Sequence, residues 1–188
     1  MIPKIYECLA NDELRPAMNY ALVTKEEVAA SDAHILVIHK TAELFPEEFI
    51  KEIPKAGLLM GKALLQDLNK SSVRSLRYIT LDGDGIIIIT HAPEGKTPFK
   101  RYFEVKLNGE DFTYVDYNAV WPKEESREKA GVKAIALNSN LLARLERALG
   151  AESGVHMELY GAMKAIVVRG KGGDYIQAKG LIMPMMTV

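Results

Sequence analysis

Asp32, His34, His39 and His91 form the candidate group in this 188-residue chain for proton transfer or metal binding. His34 and His39 fall five apart in a stretch that reads as strand, which places them on opposite faces. Their spacing matches no zinc signature, so a metal site would need folding to bring the four together. Asp82-Gly83-Asp84-Gly85 offers carboxylates, but the later acidic ligands of a calcium loop are missing, and a hairpin turn is the better reading. Gly170-Lys171-Gly172-Gly173 lacks both the Gly-Lys-Ser/Thr ending and the following helix of a phosphate loop. No Ser-His-Asp or Cys-His signature stands out. These residues imply no cofactor.

Two other groups point to binding rather than catalysis. Lys55 and Lys62 share one face of an expected helix over 55–69, opposite Met60, Leu64 and Leu68. Arg144 and Arg147 do the same on a second expected helix over 139–149, opposite Leu141, Leu145 and Leu149. Asn138 or Ser139 suits the start of that helix and Gly150 its end. Four cations pointing one way from two adjacent helices would suit a phosphate backbone and read no base sequence. The second group is the apolar run Leu181-Ile182-Met183-Pro184-Met185. Proline belongs at a strand's end, and flexible, polarizable methionines suit a groove that accepts more than one partner.

The elements that must position these residues are mostly strands. Segments 17–24 and 27–39 read as strand, as do 73–81 and 86–91 around the Asp82–Gly85 turn. A further hairpin is expected from 101–107 and 112–120 across Asn108-Gly109, then short strands over 132–136, 155–159, 165–169 and 176–183. Residues 123–131 form a charged connector between half-units of about 1–122 and 132–188. Sliding the chain so that Met60 falls on Leu141 also sets Leu64 on Leu145, Leu68 on Leu149 and Ile86-Ile87 on Val167-Val168. Helix, strand, turn, strand thus occurs twice, the mark of an internal pseudo-twofold repeat.

Composition narrows the class. Twenty-four basic and 25 acidic residues give a net charge of −1, which argues against a strongly basic nucleic-acid protein but leaves room for a local basic face. Cys8 is the only cysteine, so no internal disulfide forms, and a cytoplasmic setting is expected. The apolar runs at 58–65 and 86–89 are too short to span a bilayer, and residues 1–15 lack the apolar core of a secretory signal.

Six segments, in order, resemble the bacterial sliding clamp, the β subunit of the replicative DNA polymerase. Glu13-Leu14-Arg15-Pro16-Ala17-Met18-Asn19 resembles that family's D-E-x-R-P-x-L-N. Ser31-Asp32-Ala33-His34-Ile35-Leu36 resembles its T-D-G-H-R-L, with Ala33 for the glycine and Ile35 for the arginine. Ile53-Pro54-Lys55 resembles the start of its I-P-K-led helix, and Asp116-Tyr117-Asn118-Ala119-Val120-Trp121-Pro122-Lys123 its P-D-Y-x-x-V-x-P. Ala136-Leu137-Asn138 followed by Leu141-Leu142 resembles its F-N-x-x-Y-L-L-D, and Ile182-Met183-Pro184-Met185 its C-terminal M-P-M. Residues 13–123 resemble most of the clamp's middle repeat, and 132–188 the second half of its last.

The resemblance implies an α+β fold: one condensed clamp domain, 1–188, with two helices packed on two small antiparallel sheets. It implies a non-enzymatic, DNA-associated processivity factor or a clamp-type peptide-binding module, working as a homo-oligomer away from membranes. Lys55, Lys62, Arg144 and Arg147 would contact duplex DNA. His34, Leu36, Pro122, Met183, Pro184 and Met185 would wall a pocket for the short peptide motifs of polymerases and clamp loaders. Two alternatives use the same chain differently: an enzyme or ligand-binding protein built on Asp32, His34, His39 and His91, or a mimic that regulates a true clamp.

Overall fold

The computed structural model describes residues 3–69, 75–82, 85–93, 95–110, 113–122, 135–161 and 163–185. The charged connector at 123–131, much of the expected strand at 132–136 and the centre of the Asp82–Gly85 turn lie outside these residues.

Among the described residues, eleven strands form two antiparallel sheets. They are β1 Tyr20–Val23, β2 Glu27–Ser31, β3 Ile35–Lys40, β4 Leu58–Gly61, β5 Ser75–Leu81, β6 Ile86–Pro93, β7 Phe99–Glu104, β8 Lys106–Leu107, β9 Val155–Glu158, β10 Ile166–Gly170 and β11 Lys179–Ile182. The large sheet has eight strands in the order β8-β4-β1-β2-β3-β11-β10-β9, and the small one three, β5-β6-β7. One sheet is therefore much larger than the two small sheets expected. The reason is the pairing of β11 with β3, Ile182 against Ile35 and Leu181 against Leu36, which fuses strands from both ends of the chain.

Three α-helices are described: α1 Glu47–Glu52, α2 Lys62–Asn69 and α3 Ser139–Leu149. The third is bounded as its sequence suggests. Asn138 accepts from the backbone N–H groups of Asn140 and Leu141, and Gly150 closes the helix in the left-handed region at φ 68°. The helix expected over 55–69 is half strand: Leu58–Gly61 pairs with β1 and β8, and the helix begins at Lys62. Leu58, Leu59 and Met60 are each 0% exposed, buried from both sides of the sheet. Such a run carries no alternation to distinguish it from a helix. Lys55 consequently stands in the turn before β4, off any helix.

The order helix, strand, strand occurs twice, as α2-β5-β6 and α3-β9-β10, but the two copies belong to different sheets. Met60 is on β4, so it has no helical counterpart to Leu141. The expected 101–107/112–120 hairpin is replaced. β8 pairs with β4, and residues 117–120 form a single 3-10 turn.

The alternation of strand side chains gives the large sheet two apolar faces. Val23, Val28, Ile35, Val37, Met60, Val168 and Ile182 pack against the helices through Phe49, Leu64, Leu145 and Leu149. Leu22, Ala29, Leu36, Ile38, Leu59, Val167 and Leu181 face the other way, under Tyr114, Tyr117, Tyr160 and Trp121. Cys8 is fully buried on the helical face, and burial pushes its thiol up, so it stays protonated and unreactive.

Candidate functional site

The seam between β3 and β11 opens into an apolar groove on the second face of the large sheet. It encloses about 250 Å³ and is lined by His34, Leu36 and Met183 of the expected pocket, together with Met18, Ala33, Val115, Tyr117, Val120 and Leu181. Three aliphatic side chains remain open to a ligand: Val115 at 39% exposure, Val120 at 58% and Met183 at 43%.

One rim is the tight turn from β2 to β3. Ser31 Oγ donates to the Ile35 carbonyl (2.8 Å), and Asp32 Oδ1 accepts from the N–H groups of His34 and Ile35 (2.9 Å each). These side-chain bonds end the extended chain and start a new strand. His34 therefore sits in the turn and is exposed, whereas His39 lies inside β3. Ala33 holds φ 73°, a left-handed conformation that costs a residue with a Cβ about 1–2 kcal/mol. That is a physical reason for glycine at the matching place in the family motif.

The opposite rim is segment 113–122. Asp116 caps its 3-10 turn, accepting from Asn118 N–H at 3.1 Å. Tyr117 Oη reaches Glu27 at 3.4 Å, and Lys179 Nζ lies 4.7 Å above the Trp121 ring. Asn108 anchors the start of the segment by accepting from Tyr114 N–H at 2.8 Å. Beyond β11, Met183 N–H donates to the His34 carbonyl (2.9 Å), which carries the methionine onto the groove.

Pro122 and Pro184 are half-buried outside the lining, and Met185 is turned to a β-bridge with Ala136. Met18, Val115, Tyr117 and Val120 were not picked out as walls from the sequence. Met18, Tyr117 and Val120 lie inside the clamp-like segments 13–19 and 116–123, which was the available signal; Val115 stands next to one.

The four cations are not equivalent. Lys55 and Lys62 are exposed. Arg144 bridges Asp32 Oδ2 (2.8 Å) and the Glu7 carbonyl (2.8 Å from Nε). Arg147 holds the Glu7 carboxylate at 2.6 Å. The N-terminal segment thus supplies Arg147 with a counter-charge from outside α3.

The structure does not assemble the alternative site. His39 is buried with Nε2 2.8 Å from the Ala148 carbonyl. His91 binds the buried Asp67 at 3.0 Å and stacks on Phe99, and Arg101 completes that cluster at 2.7 Å from Asp67. Asp32 is committed to its turn and to Arg144. Among the described residues no three His, Cys, Asp or Glu side chains converge as metal ligands would. None of their helices is long and apolar enough to cross a membrane.

This architecture is the fold of the bacterial sliding clamps. Over 98% of its length the chain is similar to the sliding clamp (DNA polymerase III subunit beta) of Bartonella birtlesii bound to griselimycin, with a TM-score of 0.62 and 13% identity. The polymerase sliding clamp of Bacillus subtilis gives 0.58 at 13% identity. The polymerase beta subunit of Streptococcus pyogenes gives 0.59 at 11%. The chain spans 62–64% of the length of these clamps. No protein-family model matches the sequence, and no curated protein sequence is significantly similar to it.

Proposed function

We propose that this protein is a non-enzymatic, clamp-type peptide-binding module, a single clamp-like domain whose two halves share one sheet. The observation that carries this reading is the groove at the β3–β11 seam. It is apolar and open, its rims are held by hydrogen-bonded turns, and Met183 is positioned across it by a backbone hydrogen bond. A short peptide with two or three apolar side chains fits such a site, where flexible methionine adapts to the occupant. The ligands follow from the clamp resemblance: short motifs of polymerases and clamp loaders.

Met183→Ala tests this more cleanly than Leu36→Ala. Leu36 is 3% exposed and part of the core, where truncation costs about 2–5 kcal/mol of stability. Met183 is 43% exposed. Its loss is expected to weaken a clamp-binding peptide about tenfold or more with the melting temperature unchanged. Equal affinity of the two proteins would sink the groove reading.

Loose contact with duplex DNA is a second role, favoured by the exposure of Lys55 and Lys62. Arg144 and Arg147 are already ion-paired, so the contact rests on fewer phosphates than four free cations would give. DNA binding is expected to be weak, lost between low and physiological salt, and reduced by Lys62→Glu. Salt-independent binding in a mobility-shift titration would contradict it.

A further inference from the structure

The small sheet ends in an edge whose sequence is complementary to itself. β7 pairs with β6 on one side, and among the described residues no strand lies on its other side. The strand is exposed along most of its length, with Phe99 at 46% and Tyr102 at 63%. Its register with β6 runs without a bulge from Ile86↔Glu104 to His91↔Phe99, and it contains no proline. Bulges and prolines are two devices by which proteins keep such an edge from pairing.

The backbone decides which residues are available. Val105 N–H donates to the Gly85 carbonyl at 2.9 Å, continuing the β6–β7 ladder. Peptide groups alternate sides along a strand, so Phe99, Arg101 and Phe103 also address β6. Lys100, Tyr102 and Glu104 then present their N–H and C=O groups outward. Their side chains share the sheet's outer face, opposite the one on which Arg101 meets Asp67.

We propose that β7 pairs antiparallel with β7 of a second copy of this chain, about a two-fold axis at Tyr102, making one six-stranded sheet. Tyr102 then opposes the partner's Tyr102, Lys100 opposes the partner's Glu104, and Glu104 the partner's Lys100. All three are outward-facing pairs, which exchange about six backbone hydrogen bonds, two each. Each Lys–Glu pair sets opposite charges face to face. The two tyrosines lie between Ile88 and the partner's Ile88, since Ile88 is the β6 neighbour of Tyr102. Centring the pair on Arg101 would set like charges against each other, and centring it on Phe103 would set Glu104 against Tyr102. The contact is isologous, so it closes at two copies, unlike the head-to-tail contacts a ring requires.

The test is the sedimentation of the full chain across a concentration series at low salt. Wild type is expected as a monomer–dimer equilibrium. Lys100→Glu or Glu104→Lys alone sets like charges opposite each other and should raise the dissociation constant about tenfold or more. The double variant K100E/E104K restores the pairing and should return it to within a few-fold of wild type. Tyr102→Pro removes no hydrogen bond to β6, because the Tyr102 N–H points outward, so it should abolish the dimer while the far-ultraviolet circular dichroism and the urea midpoint stay close to wild type. A wild type that is monomeric at every concentration overturns the proposal. So does an oligomer indifferent to Lys100→Glu, or a double variant that fails to recover. None of these residues lines the groove, so peptide binding by the same variants reads the groove separately.

Discussion

Gly180→Val is expected to destabilise the protein by about 3 kcal/mol or more, the upper end of what overpacking a core costs. Gly180 lies on β11 beneath α3. A Cβ there would stand 2.7 Å from Leu145 Cδ1 and 2.8 Å from the Leu36 carbonyl oxygen. Leu145 is 0% exposed, so any shift of its side chain takes place within the packed core. The Leu36 carbonyl belongs to the β3–β11 seam and cannot move without disturbing its ladder. Glycine ordinarily weakens a strand by about 0.5–1 kcal/mol relative to alanine, so elsewhere the substitution would help. Here the steric cost exceeds that gain. Urea unfolding of Gly180→Ala and Gly180→Val should show a graded loss, and peptide binding should fall with it because the groove is built on the same seam. Either variant matching wild-type stability would contradict this packing.

Acidification is expected to cost the fold about 3 kcal/mol through His39 alone. Burial pushes its imidazole down from the usual 6.5 to about 4, opposed by the hydrogen bond to the Ala148 carbonyl. The unfolded chain takes up this proton near pH 6.5, while the folded chain resists until about pH 4. Stability from this residue is therefore complete above pH 6.5, falls as pH drops to about 4, and levels off below. Each pH unit of that window is worth about 1.4 kcal/mol. Two other groups face the ring: Glu43, whose Oε2 is 4.0 Å from Nδ1, and Tyr175, edge-on at 5.7 Å. His39→Gln keeps an N–H aimed at Ala148 and removes the titration. The difference in unfolding free energy between wild type and this variant should change by about 3 kcal/mol between pH 7 and pH 4. A difference independent of pH would show that His39 titrates normally.

The parts of the fold legible in the sequence are those fixed by local chemistry. Asn138 and Gly150 mark both ends of α3, and the Asp82–Gly85 turn separates β5 from β6. Where distant partners decide, the local pattern points elsewhere. Met60 fits a helical period with Leu64 and Leu68, but β1 recruits Leu58–Gly61 as a strand, with β8 on its other side at Leu58 and Leu59. Arg144 and Arg147 read as a free basic face because their counter-charges, Asp32 and Glu7 respectively, lie far away along the chain. Other signals were present and local. Pro46 followed by Glu47 and Glu48 announces α1, and Ser31-Asp32 announces the turn that takes His34 out of the strand holding His39. The groove was half legible. His34, Leu36 and Met183 stand in clamp-like segments, but whether Pro122 or Val120 faces inward depends on the 3-10 turn at 117–120.

Whether the groove binds peptide is decided by fluorescence anisotropy of a labelled clamp-binding peptide titrated with wild type and with Met183→Ala. Wild type is expected to bind saturably and the variant about tenfold or more weaker, at equal thermal stability. No binding by wild type at millimolar concentration, or identical curves for the two proteins, would contradict the groove reading.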